Sequence, residues 1–190
     1  RVANSDFDQA YVGPDIDLGR YQEVYVTDLQ IEFEQDWVRN QNLGDPFRIT
    51  DRNIELIKNA LRRDFRQSME RGLMQNSQVR IVETPGQDTL WLHPAILQVN
   101  INNPDNLQPY QTVTLAEVAA TMTIVFELAA PADGHIVARL SDRGRTRDYL
   151  RFSQQDVVKN QSDIGRLFFD WAAALGRMLN SNRPVSKTQE

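Results

Sequence analysis

The chain has 190 residues, enough for one domain with its own core and no covalent staples. Its net charge of −5 argues against a general nucleic-acid binder, because phosphate binding calls for a basic surface. It holds no cysteine, which excludes disulfides, thiol catalysis, cysteine-ligated zinc and iron–sulfur clusters.

Residues 1–20 are rich in Asp, Gly and Pro and poor in apolar positions, so an irregular leader is expected, loose or laid over the surface. "DFDQAYVGPDID" lacks the glycine and glutamate of an EF-hand loop, which leaves its aspartates as solvated groups. "YQEVYVTDLQIEFE" alternates with period 2. Val24 and Val26 share one parity, while Leu29, Ile31 and Phe33 share the other. That switch predicts a strand with a bulge or bend near Thr27–Asp28. "QDWVRNQNLGDPF" reads as a loop, and Trp37 within it is expected to be exposed and able to anchor a partner.

The helical stretch is "TDRNIELIKNALRRDFRQSMERGL". Thr50 or Asp51 caps it, and Ile54, Ile57, Leu61, Phe65 and Met69 form one apolar stripe. Gly72 is the expected stop. A short strand follows in "SQVRIVETPGQ", closed by a turn at Pro85–Gly86. In "DTLWLHPAILQVNIN", Pro94 predicts a bulge or an edge, after which Ala95, Leu97, Val99 and Ile101 take over the apolar parity. "TLAEVAATMTIVFELAAP" is the most regular strand, with apolar residues at even positions from Ala116 to Leu128. "PADG" turns the chain. "HIVARLSDRG" pairs back, with Ile136, Ala138 and Leu140 inward. "SQQDVVKN" reads as a turn or a short helix. The last helix is "SDIGRLFFDWAAALGRMLN", capped by Ser162 or Asp163 and buried along Ile164, Leu167, Phe168, Trp171, Leu175 and Met178.

The order of elements predicts an α+β fold. Residues 21–180 form a single domain, a mostly antiparallel or mixed sheet of about five strands with two long helices on one face. Residues 181–190 form a frayed tail.

The phrases "LGRYQEVYVTDLQIEF", "TDRNIELIKNALRRDF", "VRIVETPGQDTLWLHPAILQV" and "TVTLAEVAATMTIVFEL", in this order, resemble a family of uncharacterised lipoproteins of Gram-negative bacteria. The resemblance spans Leu18 to Leu179. It implies a periplasmic protein tethered to the outer membrane by a lipidated cysteine upstream of Arg1. It also implies an architecture similar to the TolB N-terminal and curli-secretion α/β domains. The family carries no agreed catalytic residues, so none is transferred. That the chain begins at Arg1 rather than Met fits a form whose start has been removed.

No phosphate loop, dinucleotide glycine run or nucleophile elbow occurs. Glu32, Glu34 and Asp36 share one strand face, which reads as a solvated face or as paired carboxylates in a cleft. His93 and His135 are candidate bases only if strands bring them together. The basic stretch "SDRGRTRDYLR" sets Arg143, Arg145 and Arg147 at one parity. They face water or pair with the chain's own acids, or they dock lipid headgroups, acidic polymer or an acidic partner surface.

The expectation is a non-enzymatic cell-envelope protein that acts through protein–protein contact, with an envelope protein or a second copy as partner. It takes no cofactor, no metal and no nucleic acid, and it meets the membrane only through its anchor. The alternatives are a binder of a small molecule or anion, and an undetected hydrolase.

Overall fold

A computed structural model of the chain describes residues 1–2, 5–43, 48–101, 120–131, 134–146 and 163–181. Seven strands form one mixed sheet: β1 (Gln9–Val12), β2 (Glu23–Val26), β3 (Gln30–Phe33), β4 (Arg80–Ile81), β5 (Thr89–Ile101), β6 (Ala120–Ala129) and β7 (Ile136–Arg145). Three helices accompany them: α1 (Trp37–Gln41), α2 (Asp51–Asn76) and α3 (Asp163–Ser181). The class is the expected α+β, with seven strands among the described residues rather than about five.

The spatial order is β1-β7-β6-β5-β2-β4, with β3 also on β5. β5, β6 and β7 are joined antiparallel, whereas β2 and β3 lie parallel to β5. The parity switch at Thr27–Asp28 is the break between β2 and β3, which share the same edge of β5. Pro94 sits at the handover. β2 pairs with β5 up to Leu92, and β3 begins pairing at Ala95. The Leu92 carbonyl faces this edge, accepting from Thr27 N at 3.0 Å. Alternate residues of a strand send their backbone groups the same way, so the proline nitrogen lies in the gap where no donor is needed.

Contrary to the expectation from the sequence, the apolar parity of β5 does not change at Pro94. It changes at Gln98, a bulge with φ of 53° that shifts the register between Leu97 and Asn100. Leu90, Leu92 and Ile96 are therefore buried before it, and Val99 and Ile101 after it. A second shift, between Leu128 and Ala129, exposes Ile136 and buries Val137, the reverse of the expected pair.

α2 is capped by a reciprocal Thr50–Asn53 box and continues past Gly72 to Asn76. Gly72 is not its stop. A Cβ there would overlap the Cβ of Ala172, so the glycine is the point where the two long helices touch. Phe65 meets Phe168 edge-on, Ser68 Oγ donates to Gly165 O, and Asn180 Nδ2 donates to Asn76 O. Ser68, Gly72 and Asn76 of α2 meet Gly165, Ala172 and Asn180 of α3 in that order, so α2 and α3 run side by side in the same direction. Both lie on one face of the sheet. At Gly144 of β7 a Cβ would lie 2.6 Å from both Leu167 and Trp171 of α3, so those two side chains occupy the space that any other residue would need.

The expected irregular leader contributes the edge strand β1 and a 3-10 turn at Leu18–Arg20. Phe7 is buried against Phe126, and Asp6 pairs with Arg177 of α3 at 2.8 Å. The tail beyond Ser181, the "SQQDVVKN" segment and the strand expected before Ala120 lie outside the described residues.

Candidate functional site

The sheet has one face under α2 and α3. Strand register sets out the other. Across it run five rows: Tyr25–Trp91–Ala129; His93–Glu127–Arg139–Tyr11; Gln30–Ala95–Val125–Ser141–Gln9; Leu97–Thr123–Arg143; and Asn100–Thr121–Arg145. Paired residues in a row share a face, and alternation carries Glu32 onto it beside Gln30. No described helix packs there.

The first rows are aromatic. Tyr25 meets Trp91 edge-on with ring centroids 5.1 Å apart, and Trp91 lies 6.0 Å from His93. Thr27 Oγ1 is 3.2 Å from His93 Nδ1, which holds the ring in place. Beside it Glu127 pairs with Arg139 at 3.3 Å. Tyr11 and Ile136 at this end are about half exposed, so apolar surface extends to the sheet's edge. The last rows are polar. Thr121 and Thr123 separate Asn100 and Leu97 from Arg145 and Arg143, and the Glu34 carboxylate accepts from Asn100 Nδ2.

Of the expected site residues, Arg143 and Arg145 both lie in β7 and on this face, because the strand runs on through Gly144 instead of turning. Arg147 lies outside the described residues. Trp37 is not exposed. It is 2% accessible, stacked on Phe33 at 4.7 Å, and its Nε1 donates to Ile101 O. The segment read as a loop forms the short helix α1, which turns the indole inward. Exposure was the reason for offering Trp37 as an anchor, and burial removes it.

The carboxylates and arginines stand apart. β5 and β6 separate β3 from β7, so Glu32 and Arg143 are about 14 Å apart across three strand spacings. The histidines do not converge either. His93 is paired with Glu127, whereas His135 O accepts from Ala130 N, three residues and about 10 Å further along β6. Among the described residues no group of three or more His, Asp or Glu could hold a metal ion, and no helix is long and apolar enough to cross a membrane. Sequence reasoning missed the Tyr25–Trp91 contact, which joins two distant segments through the pairing of β2 with β5. Tyr11 stands apart from it, on β1 at the opposite side of the sheet.

A single α+β domain is thus defined, with one sheet face under two long helices and an opposite face of mixed aromatic and charged rows on which no described helix packs. The chain belongs to the family described as protein of unknown function (DUF3313), whose model matches residues 3–141. No curated protein matches it. Among solved structures it is similar to a PelC dodecamer from Paraburkholderia phytofirmans, at 13% identity over 87% of this chain and 96% of that one, with a TM-score of 0.46. It is similar to a minor lipoprotein from Acinetobacter baumannii, at 12% identity over 86% and 95%, with a TM-score of 0.39. A hypothetical protein from Chlamydia trachomatis is similar at 9% identity over 85% and 99%, with a TM-score of 0.44.

Proposed function

We propose that this chain is a non-catalytic cell-envelope protein that binds another protein through the sheet face opposite α2 and α3. We place it in the periplasm, held at the outer membrane by a lipid anchor. The observation that carries the interaction is the row pattern, in which His93 and Tyr11 flank the Glu127–Arg139 pair and Tyr25, Trp91 and Ile136 stand in the adjacent row. Aromatic side chains bring large contact area, and arginine brings directed hydrogen bonds, the composition of binding hot spots. The separation of His93 from His135, and of Glu32 from the arginines, supports a role without chemistry.

The test is capture from envelope extracts by the immobilised chain. The Trp91→Ala and Tyr25→Ala variants are expected to lose the captured protein while melting as folded chains. Capture unchanged in both would remove the face from the proposal. The anchor is checked separately, by radiolabelled lipid incorporation into the full-length gene product.

Arg143 and Arg145 favour a second reading, a site for a carboxylate- or phosphate-bearing ligand. They stand on one face in adjacent rows, about 7 Å apart. Their planar forks suit such groups. Citrate or inorganic phosphate should then raise the melting temperature of the native chain and not that of Arg143→Ala.

A further inference from the structure

We infer that the sheet face opposite α2 and α3 is a self-association surface, on which a second copy of this chain packs about a two-fold axis running along the strands. This rests on the protein-contact reading above and names the partner.

The argument is the placement of charge. Glu32 stands on β3 at one side of the face, and Arg143 on β7 at the other, with β5 and β6 between them. Neither side chain makes an ion pair among the described residues, and at about 14 Å they cannot pair within one copy. The face is therefore acidic along one flank and basic along the other.

Two sheets packed face to face can be related by a two-fold axis along the strands or across them. An axis across the strands keeps the order of strands, so acidic flank meets acidic flank. An axis along the strands reverses that order and keeps each row at its own level. Then Glu32 faces Arg143 of the second copy, both at the level of the Leu97 row. The His93 row also suits this axis. β5 of one copy lies over β6 of the other, which sets His93 over Glu127. An imidazole then meets a carboxylate. Ala129 and Val125 of β6 are already buried in the single chain and add little to the contact. Such sheets pack nearly aligned, at about −30° and about 10 Å apart. Four strands by some ten residues cover roughly 600 Å² of each copy, the low end of stable interfaces. A contact of this kind is isologous, so it closes at two copies.

The experiment is sedimentation equilibrium of the full chain, with far-UV circular dichroism as the check on folding. The wild type is expected to dimerise, more weakly as salt is raised. Glu32→Arg and Arg143→Glu should each weaken the dimer roughly tenfold or more, because each sets like charge against like. The double variant Glu32→Arg/Arg143→Glu exchanges the flanks and should recover dimerisation. A wild type that stays monomeric at high micromolar concentration overturns the inference. A dimer indifferent to both single reversals overturns it too, since it must use another surface. If the chain is monomeric yet Trp91→Ala abolishes capture of an envelope protein, self-association falls and the protein-contact reading stands. If it is monomeric and captures nothing, both fall.

Discussion

Gly72 of α2 and Ala172 of α3 lie against each other so closely that a Cβ on the glycine would overlap that of the alanine. A Cβ there would also meet the Phe169 carbonyl oxygen at 3.0 Å. In an isolated helix, Gly72→Ala would help by up to about 1 kcal/mol. In this fold the overlap should win, because forcing a methyl group into a packed contact costs about 1–3 kcal/mol. Urea unfolding should therefore show a lower midpoint for Gly72→Ala. Adding Ala172→Gly should return part of the loss, since it removes the other half of the clash. A stabilised Gly72→Ala single variant would contradict the contact.

Trp37 ties α1 to the end of β5 through its indole N–H and its stack on Phe33. Trp37→Phe keeps the stack and leaves the Ile101 carbonyl without that donor, a loss of about 1 kcal/mol. Trp37→Ala empties the site and should cost about 3–5 kcal/mol. Acrylamide quenching supplies an independent check. Trp37→Phe should remove a shielded fluorophore and raise the quenchable fraction of the remaining signal. A fall in that fraction would show that the indole is exposed.

Gln98 holds φ at 53° in the β5 bulge, where an L side chain is strained. Gln98→Gly should stabilise the fold by up to about 1 kcal/mol, and Gln98→Val should destabilise it by about 1–2 kcal/mol. Thermal unfolding of the two variants should straddle the wild type. If both lower the melting temperature equally, the side chain itself is what matters there.

This bulge also marks where sequence reading stops. The break at Thr27–Asp28 is legible because the apolar parity changes on either side of two polar residues. Pro94 is legible as a place without a donor, since its missing N–H is a fixed chemical fact. Gln98 leaves no such mark, as glutamine carries no preference for positive φ. The exposure of Trp37 was misread because its partners, Phe33 and Ile101, come from a strand before it and one far after it. Gly72 was misread because a helix-ending glycine and a helix-contacting glycine look alike until the second helix is placed. At the candidate face, the shared parity of Arg143 and Arg145 was legible. The two strands that set them apart from Glu32 were not, because strand order is a long-range property.

Asp142 joins three elements. Its Oδ2 accepts from Trp171 Nε1 of α3 at 2.7 Å, and its Oδ1 accepts from Asp8 N at 3.1 Å. Asp8 in turn accepts from Arg143 N through Oδ2. One carboxylate on β7 thus fixes both the helix above it and the leader beside it. Asp142→Ala would leave the Trp171 and Asp8 donors unpaired, at about 1–3 kcal/mol for a buried donor. Trp171 is only 3% exposed, so water cannot readily replace the lost acceptor. Asp142→Asn keeps one carbonyl oxygen and should lose roughly half as much. In a Trp171→Phe background the indole donor is gone, and the further cost of Asp142→Ala should shrink by about 1 kcal/mol. Full additivity of the two substitutions in denaturant unfolding would show that the carboxylate and the indole act independently.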